Sequence, residues 1–487
     1  MAVNFIPTGS ELFRVLPEML LTLTGTVVMV MEPLTPPAQK RRLAVVALTG
    51  LLVALWAAVV AFSDPGPAFQ NMLMVDGFTT FFRVLVIAAG ILTFLASFSY
   101  LKRERAEGGE YYALILFSLV GQCLMAASRE LIMIFIGLEI SSIASYVLAG
   151  YLREDRRANE SALKYFLLGS FASAFFLYGI AWLYGLTGAT NLDEIRQVLG
   201  NRDLAPAPAL TAAAAAFIFA GVAFKVSAAP FQVWTPDVYQ GAPAPVSAFL
   251  SAGPKAAAFA VFLRVFGTAL DPVSGRWLPL VWLVALATMV IGNFAALTQS
   301  NIKRLLAYSS IAHAGYVLVA LAAHSEIGTA AAMFYLFAYS FMNVGAFAIV
   351  AHLAGRGEKM VEIEDLAGLS SRQPVTAALF AVFLLSLIGV PLTGGFFGKF
   401  YLFKAALDSN LVWLTVLGLL NSAVAAYYYL RVLVVMYFHE PAPGATDEIP
   451  ASGMRTAWWI CGAATLLLGI YPGPVLDFAA ASAKLLK

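Results

Sequence analysis

Apolar runs of about 18 to 28 residues follow one another along the whole chain, separated by short polar breaks. A helix needs about 20 apolar residues to cross the hydrocarbon of a bilayer, so each run is long enough to span it. The polar surface of a soluble fold is missing. Of the 487 residues 61% are hydrophobic and 12% charged, about half the charge of a soluble domain, and the mean hydropathy is +0.81. A membrane β-barrel would alternate with a period of two, which these runs do not. The expected fold is an all-α polytopic membrane protein.

The polar breaks predict about fourteen spans, at 13–31, 43–62, 76–100, 111–127, 130–151, 160–185, 209–229, 240–268, 277–298, 303–323, 328–353, 374–406, 410–438 and 454–472. Basic residues in short loops mark the cytoplasmic side of such a protein. One set of alternate loops carries Lys40, Arg41, Arg42, Lys102, Arg103, Arg105, Arg153, Arg156, Arg157, Lys303, Arg304, Arg356, Lys359, Arg372, Arg431 and Arg455. The opposite set, with the termini, has Arg14, Arg129, Arg196, Arg202, Arg264, Arg276, Lys484 and Lys487. The first set is expected to be cytoplasmic, which puts both termini outside. An even number of spans requires the same.

An internal repeat accompanies this pattern. Ser141-Ser142-Ile143-Ala144-Ser145-Tyr146-Val147-Leu148-Ala149 in the fifth span is matched by Ser309-Ser310-Ile311-Ala312-His313-Ala314-Gly315-Tyr316-Val317-Leu318 in the tenth. Five spans apart, the copies run in opposite directions, as in inverted-topology repeats with sites at interrupted helices. The expected division is 1–110 for three N-terminal spans, 111–268 and 277–438 for two five-helix repeats, and 439–487 for the last span and tail. Span seven is interrupted at Pro230. Span twelve, too long for one straight crossing, contains Gly389, Pro391, Gly394 and Gly395. Proline removes a backbone donor and clashes with the preceding turn. One such proline could be a tolerated kink; equivalent breaks in both repeats, each beside a lysine, favour a functional one.

Ionisable residues within spans cost about 2.5–3.5 kcal/mol each at a helix centre and mark ion pathways. The candidates are Glu139, Lys164, Lys225, Lys255 and Lys399. Lys404, near a helix end, reads as a snorkelling side chain, and Lys164 is ambiguous in that respect. Arg83 reads as structural, because arginine does not release its proton. Lysine suits proton transport because desolvation disfavours its ammonium and a nearby carboxylate favours it. Glu139 can thus bias Lys164 and Lys225, while Lys164, Lys225, Lys255 and Lys399 form coupled sites joined through water. His313, with Tyr308, Ser309 and Ser310, is either the polar link between the halves or a hydrogen-bonded core residue.

Other chemistries lack their residues. Cys123 and Cys461 are isolated in apolar runs and cannot supply an iron–sulfur ligand set, no nucleotide-binding glycine loop is present, and no basic arm suggests nucleic acid. No signal peptide is expected, because the first run follows Glu11, Arg14 and Glu18 rather than a basic segment and has no clear small-residue cleavage site.

Two motifs carry a resemblance that covers nearly all the spans. Phe224-Lys225, followed by Ala229-Pro230-Phe231-Gln232-Val233-Trp234-Thr235-Pro236-Asp237-Val238-Tyr239-Gln240-Gly241-Ala242-Pro243-Ala244-Pro245-Val246, is one. Asn301-Ile302-Lys303-Arg304-Leu305-Leu306-Ala307-Tyr308-Ser309-Ser310-Ile311-Ala312-His313 is the other. Both resemble signatures of the antiporter-like, proton-conducting subunits of respiratory complex I and of multisubunit cation/proton antiporters. Three further segments resemble the subunit N branch: Leu138-Glu139 with residues 146–151, Ala162-Leu163-Lys164-Tyr165-Phe166-Leu167-Leu168-Gly169, and Pro391-Leu392-Thr393-Gly394-Gly395-Phe396-Phe397-Gly398-Lys399-Phe400-Tyr401.

The resemblance implies that Glu139 and Lys164 form a modulating pair, Lys225 is the central proton carrier, Lys255 the connecting site and Lys399 the site nearest the outer exit. It implies a bacterial inner-membrane complex coupling NADH oxidation by quinone to proton transport. The chain's partners would be other membrane subunits, lipid and protons. Flavin mononucleotide, iron–sulfur clusters and quinone would belong to other subunits, with no cofactor in this chain. The alternatives are a subunit of a cation/proton antiporter or of a membrane-bound hydrogenase, or a purely structural spacer.

Overall fold

A backbone in hydrocarbon must satisfy its own hydrogen bonds, and a helix does so within one segment. The chain follows that rule throughout. The computed structural model describes residues 6–36, 39–201, 203–204, 206–441 and 449–486; Arg202 and Lys487 of the loop comparison lie outside them. The main helices are α1 (Leu16–Met31), α2 (Arg41–Val60), α3 (Gly77–Glu104), α4 (Gly109–Ala127), α5 (Leu131–Ala149) and α6 (Arg156–Thr187). Then come α7 (Pro208–Val226), α8 (Trp234–Gly241), α9 (Ala244–Arg264), α10 (Ser274–Leu297), α11 (Ile302–Ala323) and α12 (Glu326–Leu353). Last are α13 (Pro374–Ile388), α14 (Gly394–Asp408), α15 (Val412–Phe438), α16 (Ser452–Ile470) and α17 (Gly473–Ala483). A two-stranded hairpin, β1 (Gly66–Ala68) and β2 (Leu73–Val75), lies between α2 and α3.

Each of the expected spans overlaps one of these helices or a broken pair. Among the described residues 11 helices are long and apolar enough to cross a membrane, or up to 12 if α16 and α17, bent by 78°, count as one. Two more apolar helices, α1 and α13, are shorter. Side-chain caps mark several entries: Asp76 accepts from Thr79 N, Asn301 from Arg304 N and Ser325 from Gly328 N, which satisfies donors a helix start leaves open.

Contacts between loops sort them into two ends. At one end Arg129 N donates to Met72 O, Leu192 N to Arg129 O, and Ser409 Oγ to Ala323 O. Arg14 pairs there with Asp64, and Ser482 of α17 packs on Gly77. At the other, Gly109 N donates to Glu32, Arg157 to Gly357 O and Ile363 N to Ser300 O. The second end holds the strongly basic loops.

Helices α9, α11 and α12 form the centre, with 94%, 94% and 89% of their most apolar stretches buried, while α6 and α15 are 39% buried. The two five-span segments use the same neighbours. Helix α4 packs on α5 and on α9, as α10 does on α11 and on α15. Helix α6 packs on both parts of the interrupted span α7–α8, as α12 does on α13 and α14.

Candidate functional site

The two helix breaks are built differently and each presents a lysine. Helix α7 ends where Ser227 takes a left-handed conformation (φ 63°) just before Pro230. The carbonyls freed by the break find side-chain donors: Trp234 Nε1 donates to Phe224 O at 3.0 Å. Across the gap, Ala229 N donates to Thr288 Oγ at 2.9 Å. Between α13 and α14 the chain turns at Gly389 (φ 96°) and runs through Pro391. Gly395 then passes so near α13 that a Cβ would lie 1.9 Å from Ser386 O, so only glycine fits there.

Lys399 fills the second break. Its Nζ donates to Leu387 O (3.0 Å), Ile388 O (2.8 Å) and Ser422 Oγ (2.8 Å). The two carbonyls belong to the last turn of α13, the negative end of its dipole. Tyr316 offers its ring face 4.7 Å from the ammonium.

Lys225 sits in the last turn of α7 and turns toward α5. It donates to Ser142 Oγ at 2.6 Å and Tyr146 Oη at 3.1 Å, with the rings of Tyr146, Tyr165 and Phe224 within 6 Å. Rings at that range attract a cation. Lys255, 2% exposed on α9, donates to Ser310 O (3.0 Å) and Ser310 Oγ (2.5 Å). Among the described residues none of Lys225, Lys255 and Lys399 forms an ion pair with a carboxylate.

His313 stands between the last two lysines. One ring nitrogen meets Tyr335 Oη and the other lies 3.3 Å from Tyr429 Oη, which also meets Ser309. Its ring packs edge-on against Tyr316, the ring under Lys399. Polar groups therefore run from Ser310 and Ser309 through Tyr429 and His313 to Tyr316. Tyr308, expected in this group, instead lies under Arg304.

Glu139 and Lys164 do not meet. Glu139 accepts from Ser173 Oγ at 2.5 Å, and Ser173 is nine residues beyond Lys164 on α6, about 14 Å of helix rise. Lys164 reaches the other way. It pairs with Glu160 and Asp237, each at 2.7 Å, and its side chain is 41% exposed. Asp237 also accepts from Arg304 at 2.7 Å, so it ties α6 to α11. Glu160 lies one turn before Lys164, a spacing that already favours an ion pair; Asp237 carried no such signal. Arg83 forms a bidentate pair with Glu18 at 2.8 and 3.0 Å, and Lys404 faces Asp408 near a helix end.

The seat of Tyr146 depends on Gly169, where a Cβ would stand 2.1 Å from Tyr146 Oη. Gly169→Ala should displace the phenol from Lys225, at an overpacking cost of about 1–3 kcal/mol. The Tyr146→Phe exchange in the same chain should restore only part of the stability, because it removes the nearest oxygen while ring carbons Cζ and Cε1 still lie 2.7 and 2.9 Å from the new Cβ. Thermal dissociation of the purified protein measures both, and an unshifted Gly169→Ala midpoint sinks the claim.

A family model for the NADH:quinone oxidoreductase/Mrp antiporter transmembrane region matches residues 128–425. NADH-quinone oxidoreductase subunit N 1 of Solibacter usitatus is 63% identical over 478 residues, 98% of each chain. Subunit N 2 of Koribacter versatilis is 50% identical over 491 residues, again 98% of each. A chain of respiratory complex I from Thermus thermophilus superposes with a TM-score of 0.81 at 35% identity, covering 95% of this chain and 99% of that one. Matched from end to end by proteins of that name, the chain belongs to the NADH-quinone oxidoreductase subunit N family.

Proposed function

We propose that this chain is the proton-translocating subunit N of a bacterial NADH-quinone oxidoreductase, and that Lys225, Lys255, His313 and Lys399 carry its protons. Lys255 and Lys399 support this most directly. Both are buried, and hydroxyl and carbonyl oxygens hold them with no carboxylate in contact. A structural lysine in hydrocarbon would be paired; one held by neutral acceptors can give its proton up and take it back. The basic-loop end faces the cytoplasm and both termini the periplasm, so protons enter among the basic loops and leave beyond Lys399. Glu139 and Lys164 bias the Lys225 end from opposite sides, without direct contact in this conformation. The break at Pro391 supplies carbonyls that hold Lys399, whereas Lys225, in the last turn before the break at Pro230, is held by Ser142 and Tyr146 of α5.

The matching neighbours of residues 111–268 and 277–438 support an inverted pair of conducting units, flanked by 1–110 and 439–487. Residues 442–448 of the last segment are outside the described ones. The chain works with the other membrane subunits of the complex and with lipid, and those other subunits hold the flavin, iron–sulfur clusters and quinone.

The test is NADH-driven acidification of inverted membrane vesicles carrying Lys225→Ala, at equal content of intact complex and equal NADH oxidation. Acidification should fall several-fold. Undiminished acidification sinks Lys225 as a carrier, and acidification driven by a sodium gradient but not by NADH would favour an antiporter.

A further inference from the structure

The most buried ion pair at the basic-loop end lies outside the lysine row. Glu358 stands in the connection between α12 and α13, where Gly355, Gly357 and Glu358 itself all have positive φ. A non-glycine residue seldom adopts that conformation, so contacts hold it there. The Glu358 carboxylate accepts from Lys303 Nζ (2.5 Å), Tyr100 Oη (2.7 Å) and Ala244 N (2.7 Å). Lys303 Nζ also donates to Ala242 O at 2.6 Å. The two side chains are 9% and 1% exposed.

Each side of the pair leads somewhere. Outward, its neighbours Arg356, Gly357 and Lys359 line a cleft of about 1260 Å³ between the basic loops, together with Glu104 and Arg157. Inward, Lys303 and Ser310 share one face of α11, two turns or about 10 Å apart, and Ser310 holds Lys255. Tyr239 stands on α8 one turn before Ala242 and packs against α11. It is fully buried, and its Oη is turned toward Ser310 without the distance and angle of a full hydrogen bond among the described residues. A buried hydroxyl without a partner is rare enough to need a reason, and an intermittent water is one.

We propose that the Glu358–Lys303 pair is where protons from the basic-loop side enter the row, passing by Tyr239 and Ser310 to Lys255. A proton from cleft water neutralises the Glu358 carboxylate and frees the Lys303 ammonium from its partner. Lys303 then gives a proton inward, to water at the Tyr239 hydroxyl, and the neutral amine takes the proton held by Glu358. The ion pair is restored and one proton has moved. This rests on the lysine-row reading and adds its entrance.

A purely structural pin is the competing role, and it predicts the opposite order of variants. Glutamine keeps the length and an accepting oxygen but cannot exchange a proton; aspartate keeps the carboxylate and shortens the reach. In inverted vesicles, acidification per intact complex should fall several-fold in Glu358→Gln and be largely retained in Glu358→Asp. Full pumping by Glu358→Gln overturns the entrance. If neither variant assembles, Tyr239→Phe decides, since it removes one oxygen from a packed ring: reduced pumping supports the route and native pumping overturns it. Lys255→Ala in the same series separates the two readings. Native pumping there sinks the row itself, whereas lost pumping there with native Glu358→Gln sinks only the entrance.

Discussion

Replacing Lys399 with arginine should leave the complex assembled and stop proton delivery through this chain. The ammonium does two jobs at the second break. It satisfies Leu387 O and Ile388 O at the end of α13, and Ser422 Oγ beside them; it also holds a proton where no carboxylate is in contact. Arginine can do the first, with five donors in a planar fork, but it stays charged and gives no proton away. Its extra bulk costs about 1–3 kcal/mol in a packed site. Lys399→Met removes both functions and strands acceptors in a buried position, at about 1–3 kcal/mol for each left unsatisfied. The expected order is therefore near-native assembly for Lys399→Arg and reduced assembly for Lys399→Met, with pumping per intact complex down several-fold in both. Native acidification by Lys399→Arg would make the lysine a plug for the α13 carbonyls and nothing more.

The spans were legible because hydrocarbon forces the same solution on every apolar run, and each expected span meets a helix. The breaks were legible for a related reason: Pro230, Gly389 and Pro391 act on the backbone locally, and the helices end beside them. What the sequence hid is set by axial register between helices. Glu139 lies deep in its span and Lys164 near the inner end of its own, so the expected contact required a tilt or a shift of a turn or so; the helices make no such shift, and Ser173 stands level with Glu139. Asp237 was visible only as part of a motif, since nothing in its spacing tells that it bridges Lys164 and Arg304. The hydroxyls that meet His313 come from Tyr335 and Tyr429 on two other helices, and the Tyr316 ring packs against it, a set no single segment reveals. Glu358 lies in a loop without periodicity, and its burial comes from packing α3, α9 and α11 around one connection.

Arg83→Met should damage assembly without touching conduction. Arg83 is fully buried on α3 and grips both oxygens of Glu18 on α1, itself 5% exposed, while donating to Arg14 O at 3.1 Å. Removing the arginine leaves a carboxylate buried without its cation, a change that costs about 3–5 kcal/mol, whereas replacing both members with apolar side chains of similar volume is often neutral. The single variant should therefore lower the amount of intact complex and its dissociation temperature. Arg83→Met combined with Glu18→Met should recover most of the loss. Acidification per intact complex should stay native in both, because an arginine that keeps its proton is no carrier and the pair lies in the N-terminal helices, outside both five-span segments. If pumping per intact complex collapsed while assembly stayed normal, the N-terminal helices would join the proton path, and the division between a structural unit and two conducting ones would fail.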